Sequence, residues 1–265
     1  MSTPGLPQTP RDAAVHILAS LKATYSAPLK FVLASEADFA HLDLPAYAEF
    51  RTWAEGQSFR YLADIEFPAL SNNSTTPVAR AMVRTHLSAD GTVGAEYFQV
   101  KPRIDRVLKR LATGLLNLRW IDTPRWVWRM LKTKNCASFE TEFDDGTFVA
   151  SSNAEAAGLL SLPPSIDTVF MPYGTPPQEL LDAHRARVRL KLQNQPQCRA
   201  IVVTDLAGVR EQQHRMSGQK NAYRAAQQWI SKAELNAMTG NRELADAVFE
   251  EMRKLQAGPM PDKLG

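Results

Sequence analysis

The apolar positions of this chain change period along its length, and the changes divide it into elements. Ala14, Ile17, Leu18 and Leu21 recur at helical spacing. Ahead of them, Thr9-Pro10-Arg11-Asp12 supplies a capping hydroxyl, a proline for the first helical position and an acid for the first turn. A second helix is predicted from Asp43-Leu44-Pro45, burying Ala46, Tyr47, Phe50 and Trp53 and stopping near Gly56. The period then falls to two. Phe59 to Ile65 alternates as a strand. The runs 78–87 and 92–100 flank Ser88-Ala89-Asp90-Gly91, a hairpin turn signal. A second hairpin sets Ala137, Phe139, Thr141 and Phe143 against Cys136, Ser138, Glu140 and Glu142, then turns at Asp144-Asp145-Gly146 into 147–152. Residues 166–171 are a further candidate strand.

Helical spacing returns near the end. Thr175-Pro176-Pro177-Gln178 starts a helix reaching about residue 192. Ile201-Val202-Val203 is a short apolar run of either type. Tyr223, Ala226, Trp229, Ile230 and Ala233 then predict a helix ending near Gly240, and Leu244, Val248, Met252 and Leu255 predict its antiparallel neighbour. The expected fold is α+β: a mostly antiparallel sheet of about five strands built from two hairpins, with N-terminal helices and a C-terminal αα-hairpin. Residues 1–200 would form the α+β domain and 201–265 a helical extension.

One segment breaks this pattern. Between the two hairpins, Ile104, Val107, Leu108, Leu111, Leu115 and Leu118 form one helical stripe. Asp122-Thr123-Pro124 then opens a shorter element with Trp126, Val127, Met130 and Leu131. A basic amphipathic helical insertion is predicted over 101–134. Charge sharpens the point. That segment holds ten Lys/Arg against Asp105 and Asp122, a net +8, which leaves −5 for the remainder of a chain whose net charge is +3. Three of the five tryptophans, Trp120, Trp126 and Trp128, also lie there. Packing of the stripe on the sheet would make the segment scaffold. Its basic face and its tryptophans instead fit an anionic membrane surface or an acidic protein partner. Nucleic acid fits less well, since the stripe is continuous and no nucleic-acid-binding motif accompanies it. The binding residues are expected to be Arg103, Arg106, Lys109, Arg110, Arg119, Trp120, Arg125, Trp126, Trp128, Arg129 and Lys132.

Composition narrows the classes. The N-terminus reads as no secretory signal, and no apolar run reaches the length of a membrane-spanning helix. Two cysteines, Cys136 and Cys198, are too few for a disulfide framework. A bacterial-type cytoplasmic protein is expected, peripheral on the inner membrane surface if lipid is its partner. The glycines form no phosphate-binding loop, and no nucleophile elbow occurs. The five histidines show no metal-ligand spacing, so neither metal nor cofactor is expected.

Catalytic candidates are few. Glu140 and Glu142 share a strand face, and Glu96 lies in the other hairpin. If the hairpins adjoin, Glu96, Glu140 and His86 would share a surface able to support acid–base chemistry. His86 falls on one strand face with Arg80, Met82 and Arg84, which suggests a solvated face. His184 falls on the apolar stripe of its helix, as a packed imidazole would. The reading is a non-enzymatic binding or regulatory protein attaching through 101–134. The alternatives are a hydrolase-like enzyme on the sheet face and a nucleic-acid-binding protein.

Overall fold

The structure, a computed structural model, describes residues 9–26, 29–68, 79–103, 133–155 and 160–257. The insertion therefore lies largely outside the described residues: of its predicted binding residues, Arg103 alone falls within them.

Helix α1 (Pro10–Tyr25) begins at Thr9 with a reciprocal capping box to Asp12 and buries Ala14, Leu18 and Leu21. Helix α2 (Leu44–Gly56) begins at Asp43, whose carboxylate accepts from the Ala46 amide, and buries Tyr47, Phe50 and Ala54. The strands are β1 (Val32–Leu33), β2 (Phe59–Glu66), β3 (Val83–Ser88), β4 (Gly94–Val100), β5 (Lys134–Glu142), β6 (Phe148–Ser152) and β7 (Ile166–Phe170). They form one mixed sheet whose spatial order is their chain order.

Two features of this α+β sheet differ from the five-stranded expectation. The first is β1, too short to show alternation, which pairs with β2 at one edge. The second is the parallel pairing of β7, the candidate strand at 166–171, with β6 at the other edge. Residues 153–165 separate these two strands, enough chain for the crossover that parallel pairing requires. The two hairpins do adjoin. Strands β4 and β5 pair antiparallel without interruption from Gly94↔Glu140 to Val100↔Lys134.

Strand parity gives the sheet two unlike faces. On the first, α2 and helix α3 (Pro177–Asn194) pack over Phe59, Met82, Ala95, Tyr97, Ala137 and Phe139. The Phe50 and Tyr97 rings stack at 4.8 Å, and Trp53 meets Phe139 edge-on at 6.1 Å. The Tyr47 hydroxyl donates to the Met82 carbonyl at 2.7 Å and accepts from the Gln99 amide at 3.0 Å, so its polar tip is satisfied inside the core. The second face is crossed by the long helix α4 (Leu206–Ala226). Apolar contacts run along its first half: Leu206 with Ala63, Ile65 and Val83, Val209 with Leu87, and the central Met216 with Phe148 and Ile166. Between Val209 and Met216, Gln212, Gln213 and Arg215 are polar.

The expected αα-hairpin is present as Lys232–Thr239 and Arg242–Ala257, turning at the left-handed Gly240 with Asn241 capping the second helix, but its first helix is shorter than expected. Helix α4 was foreseen only in part, as a polar helix at His214 and a helix through Tyr223 and Ala226, because its polar composition hides the period over its full length. The helix predicted through Tyr223, Trp229 and Ala233 is in fact the end of α4, a turn, and helix α5 (Lys232–Thr239). Gln228 and Trp229 take φ values of 53° and 79°, a region that residue type does not announce for these side chains. Apolar spacing ran through the turn because Trp229 and Ile230 pack on the cluster that joins α1 to helix α6 (Arg242–Ala257). The buried Arg224 guanidinium holds the turn by bonding Glu234 at 2.8 Å and the Ser161 carbonyl.

Candidate functional site

The site is built where β4 and β5 pass beneath α4. Glu96 sits opposite Ser138, and Glu140 sits opposite Gly94, so the two carboxylates are diagonal neighbours on the second face. Their strands place them there by parity, since the alternate residues Ala95, Tyr97, Ala137 and Phe139 are claimed by the aromatic core. From above, the Gln213 side-chain amide donates to Glu96 at 3.3 Å and to Glu140 at 2.9 Å. Both glutamates are partly buried. Thr85, directly opposite Glu96 on β3, is 1% exposed, and its hydroxyl has no partner.

Electrostatics follow from this placement. Burial, and then the neighbouring charge of Glu140, pushes the Glu96 carboxyl up to about 8, while Lys220 on α4 pulls in the opposite direction. Burial raises Glu140 too, opposed by Lys220 and by the hydrogen bond from Gln213. The pair therefore retains a proton well above the ordinary carboxylate range, and that proton belongs to both groups. Chemically it offers a neutral carboxyl beside a carboxylate, the arrangement that separates acid from base.

Next along β5, Glu142 is 2% exposed and takes two bonds from Arg215 of α4, at 2.5 and 2.7 Å. Beyond it, Gln219 accepts from the Ser165 hydroxyl and donates to the Gly146 carbonyl. A cleft of about 510 Å³ opens beside this row, lined by Glu142, Asp144, Val202, Thr204, Glu211 and Arg215 among others. It does not include Glu96 or Glu140.

His86 stands apart. It pairs with Ala95 and so occupies the opposite face from Glu96, inside the aromatic core. The expectation of a solvated face there is corrected: Met82, Arg84 and His86 are all buried by α2 and its neighbours. Two arginines on the strand misled the reading, because Arg84 is buried as an ion pair with Asp64 at 2.8 Å. Phe50 and Tyr61 flank the His86 ring, and neither of its nitrogens has a partner. Burial first, then the charges of Arg84 and Arg51, lowers its pKa to about 4, so the ring is neutral. His184 is buried as expected, with Nε2 at 3.0 Å from the Thr141 hydroxyl. The two cysteines are free and buried, and burial pushes the Cys136 thiol up to about 12, which removes it as a nucleophile.

Among the described residues, no three His, Cys, Asp or Glu side chains gather as a metal site would require. No described helix is long and apolar enough to cross a membrane. Gln213, Lys220 and Thr85 escaped the sequence reading. The available signal was a helix whose inward positions, Gln212, Gln213 and Met216, are mostly polar where a core helix is apolar. Compared with protein-family models, with curated proteins and with solved structures, the chain matches none.

Proposed function

We propose that the chain is a non-enzymatic binding or regulatory protein that attaches through its basic, tryptophan-bearing segment 101–134 to an anionic membrane surface. The supporting observation is the way the segment is carried. Strands β4 and β5 pair up to Val100↔Lys134, so the two ends of the segment leave from neighbouring positions at one end of the sheet. Its two roots are tied down. The Lys101 ammonium donates to the His41 carbonyl, and the Lys134 ammonium lies 4.7 Å from the centre of the Tyr173 ring. A +8 segment on a −5 body is the charge distribution of a surface-seeking module. In this reading the protein is cytoplasmic and peripheral on the inner membrane face.

The purified protein should co-sediment with phosphatidylserine-containing vesicles, not with phosphatidylcholine alone, and binding should weaken as salt rises. Changing Arg106, Lys109 and Arg110 to Glu removes about 3 kcal/mol of attraction at minimum, more than a hundredfold in partitioning. Equal recovery in the supernatant with both lipids would sink the membrane version. Salt-sensitive binding to an acidic polypeptide would then favour a protein partner, and salt-sensitive binding to single-stranded oligonucleotides a nucleic acid.

A second reading, a hydrolase-like enzyme, is favoured by one observation: Glu96 and Glu140 converge on Gln213, with one proton retained between them. It predicts turnover of chromogenic ester, glycoside or phosphate substrates with a pH profile that E96Q and E140Q each abolish. Turnover that both variants preserve would remove it.

A further inference from the structure

We propose that Glu96 and Glu140 form a proton-binding site that fastens α4 to the polar face of the sheet. Across the sheet, Thr85, Glu96, Ser138 and Ser152 stand side by side on β3, β4, β5 and β6, one polar row on the face that α4 crosses at Glu96. Helix α4 buries Val209 and Met216, but over Glu96 and Glu140 it gains nothing from apolar burial. It stands instead on long polar side chains: Gln213 on the two glutamates, Arg215 on Glu142, and Gln219 on Ser165 and Gly146.

Of these supports, the Gln213 contact depends on a proton. One amide group supplies one hydrogen to each carboxylate, and Thr85 opposite makes no bond to either. Two ionised carboxylates at this spacing repel in a partly dehydrated layer. A single proton between them removes one charge. The charged and titratable groups bearing on the pair are few. Lys220 of α4 attracts both carboxylates, Glu142 is neutralised by Arg215, and the Cys136 thiol on the same strand face stays protonated. Loss of the shared proton leaves Lys220 to offset two charges. Rehydrating the pair by lifting the middle of α4 is then the cheaper arrangement.

The linkage has one sign. The docked pair holds its proton more tightly than a solvated pair would, so docking weakens as pH rises from about 4.5, the ordinary glutamate value, through the docked value. Across that window the docking equilibrium falls by up to about tenfold per pH unit. Native-state hydrogen exchange between pH 6 and 9, corrected for intrinsic rates, reads this directly. Peptides from 206–226 should lose protection with rising pH, while peptides from α3 and β5 keep theirs. The E96Q/E140Q protein should show no such slope in α4. Where that variant does not fold, E96Q alone removes the repulsion between the two carboxylates but leaves Glu140 buried, and must reduce the slope. Any contribution from the histidines survives in both variants and is thereby separated. Three results would overturn the proposal: α4 protection independent of pH, α4 and α3 losing protection together as in global unfolding, or a slope undiminished in the variants.

Discussion

Arg84→Ala is expected to lower the stability of the fold by about 3–5 kcal/mol, the range for removing one partner of a buried ion pair. Arg84 and Asp64 are 3% and 7% exposed and joined by two bonds of 2.8 Å, with Glu36 closing the other side. The pair links β2 to β3 across their register at Asp64↔Arg84, next to the Tyr47 ring. Truncation leaves the Asp64 carboxylate in a site shaped for its counter-ion, and desolvation penalises that charge. Urea unfolding should show a midpoint lower by on the order of 1–2 M at unchanged slope. A midpoint within about 0.2 M of the parent would mean that water reaches Asp64, contrary to the burial described. Arg84→Met with Asp64→Leu removes both charges, and should recover most of the loss.

Acid should unfold the protein through its two core histidines before its carboxylates titrate fully. His86 and His184 are fully buried, and their pKa values are lowered to about 4 and about 3, in each case first by burial and then by nearby arginines. In the unfolded chain both take their protons near 6.5. Between 6.5 and these lower values the unfolded chain binds more protons than the folded one. Stability therefore falls as pH drops through that window, by about 3 kcal/mol for His86 alone and a comparable amount for His184. Glu234, lowered to about 2 despite burial by its bonds to Ser161, Ser231 and Arg224, adds a further loss below the ordinary glutamate value.

Glu96 acts in the opposite direction. Its raised pKa favours the protonated fold, so its contribution is lost as pH rises towards about 8. The stability profile should accordingly be a dome, with the histidines setting its acid side. His86→Phe tests that side, since the ring lies between Phe50 and Tyr61 and makes no hydrogen bond to lose. Thermal unfolding of this variant should equal or exceed the parent at pH 7 and fall less steeply between pH 6.5 and 4.5. An unchanged slope would show that His86 is protonated inside the fold.

The sequence determined a good deal by local rules. Thr9 and Asp43 cap the helices they were expected to cap, because capping needs only a short-range hydrogen bond. The alternation of Ala137 and Phe139 with Ser138 and Glu140 specified which residues of β5 share a face, because side-chain direction in a strand has period two. Local rules also placed Glu96 and Glu140 each on a strand and His184 on a buried stripe, and left open whether the two hairpins adjoin. They did not decide what covers a face. A polar sheet face reads as wet in one dimension, yet here α4 lies over it, and burial is the first cause of the raised Glu96 and Glu140 pKa values. Nor did they separate His86 from Glu96. The two faces differ by one residue of register, and only the β3–β4 pairing, His86↔Ala95 and Thr85↔Glu96, settles which side each takes. Apolar period and capping chemistry act within a few residues of chain, whereas burial and charge proximity arise between residues far apart in sequence. The helices and strands of this protein could therefore be read from the chain, and its carboxyl pair could be recognised only once the sheet and α4 had met.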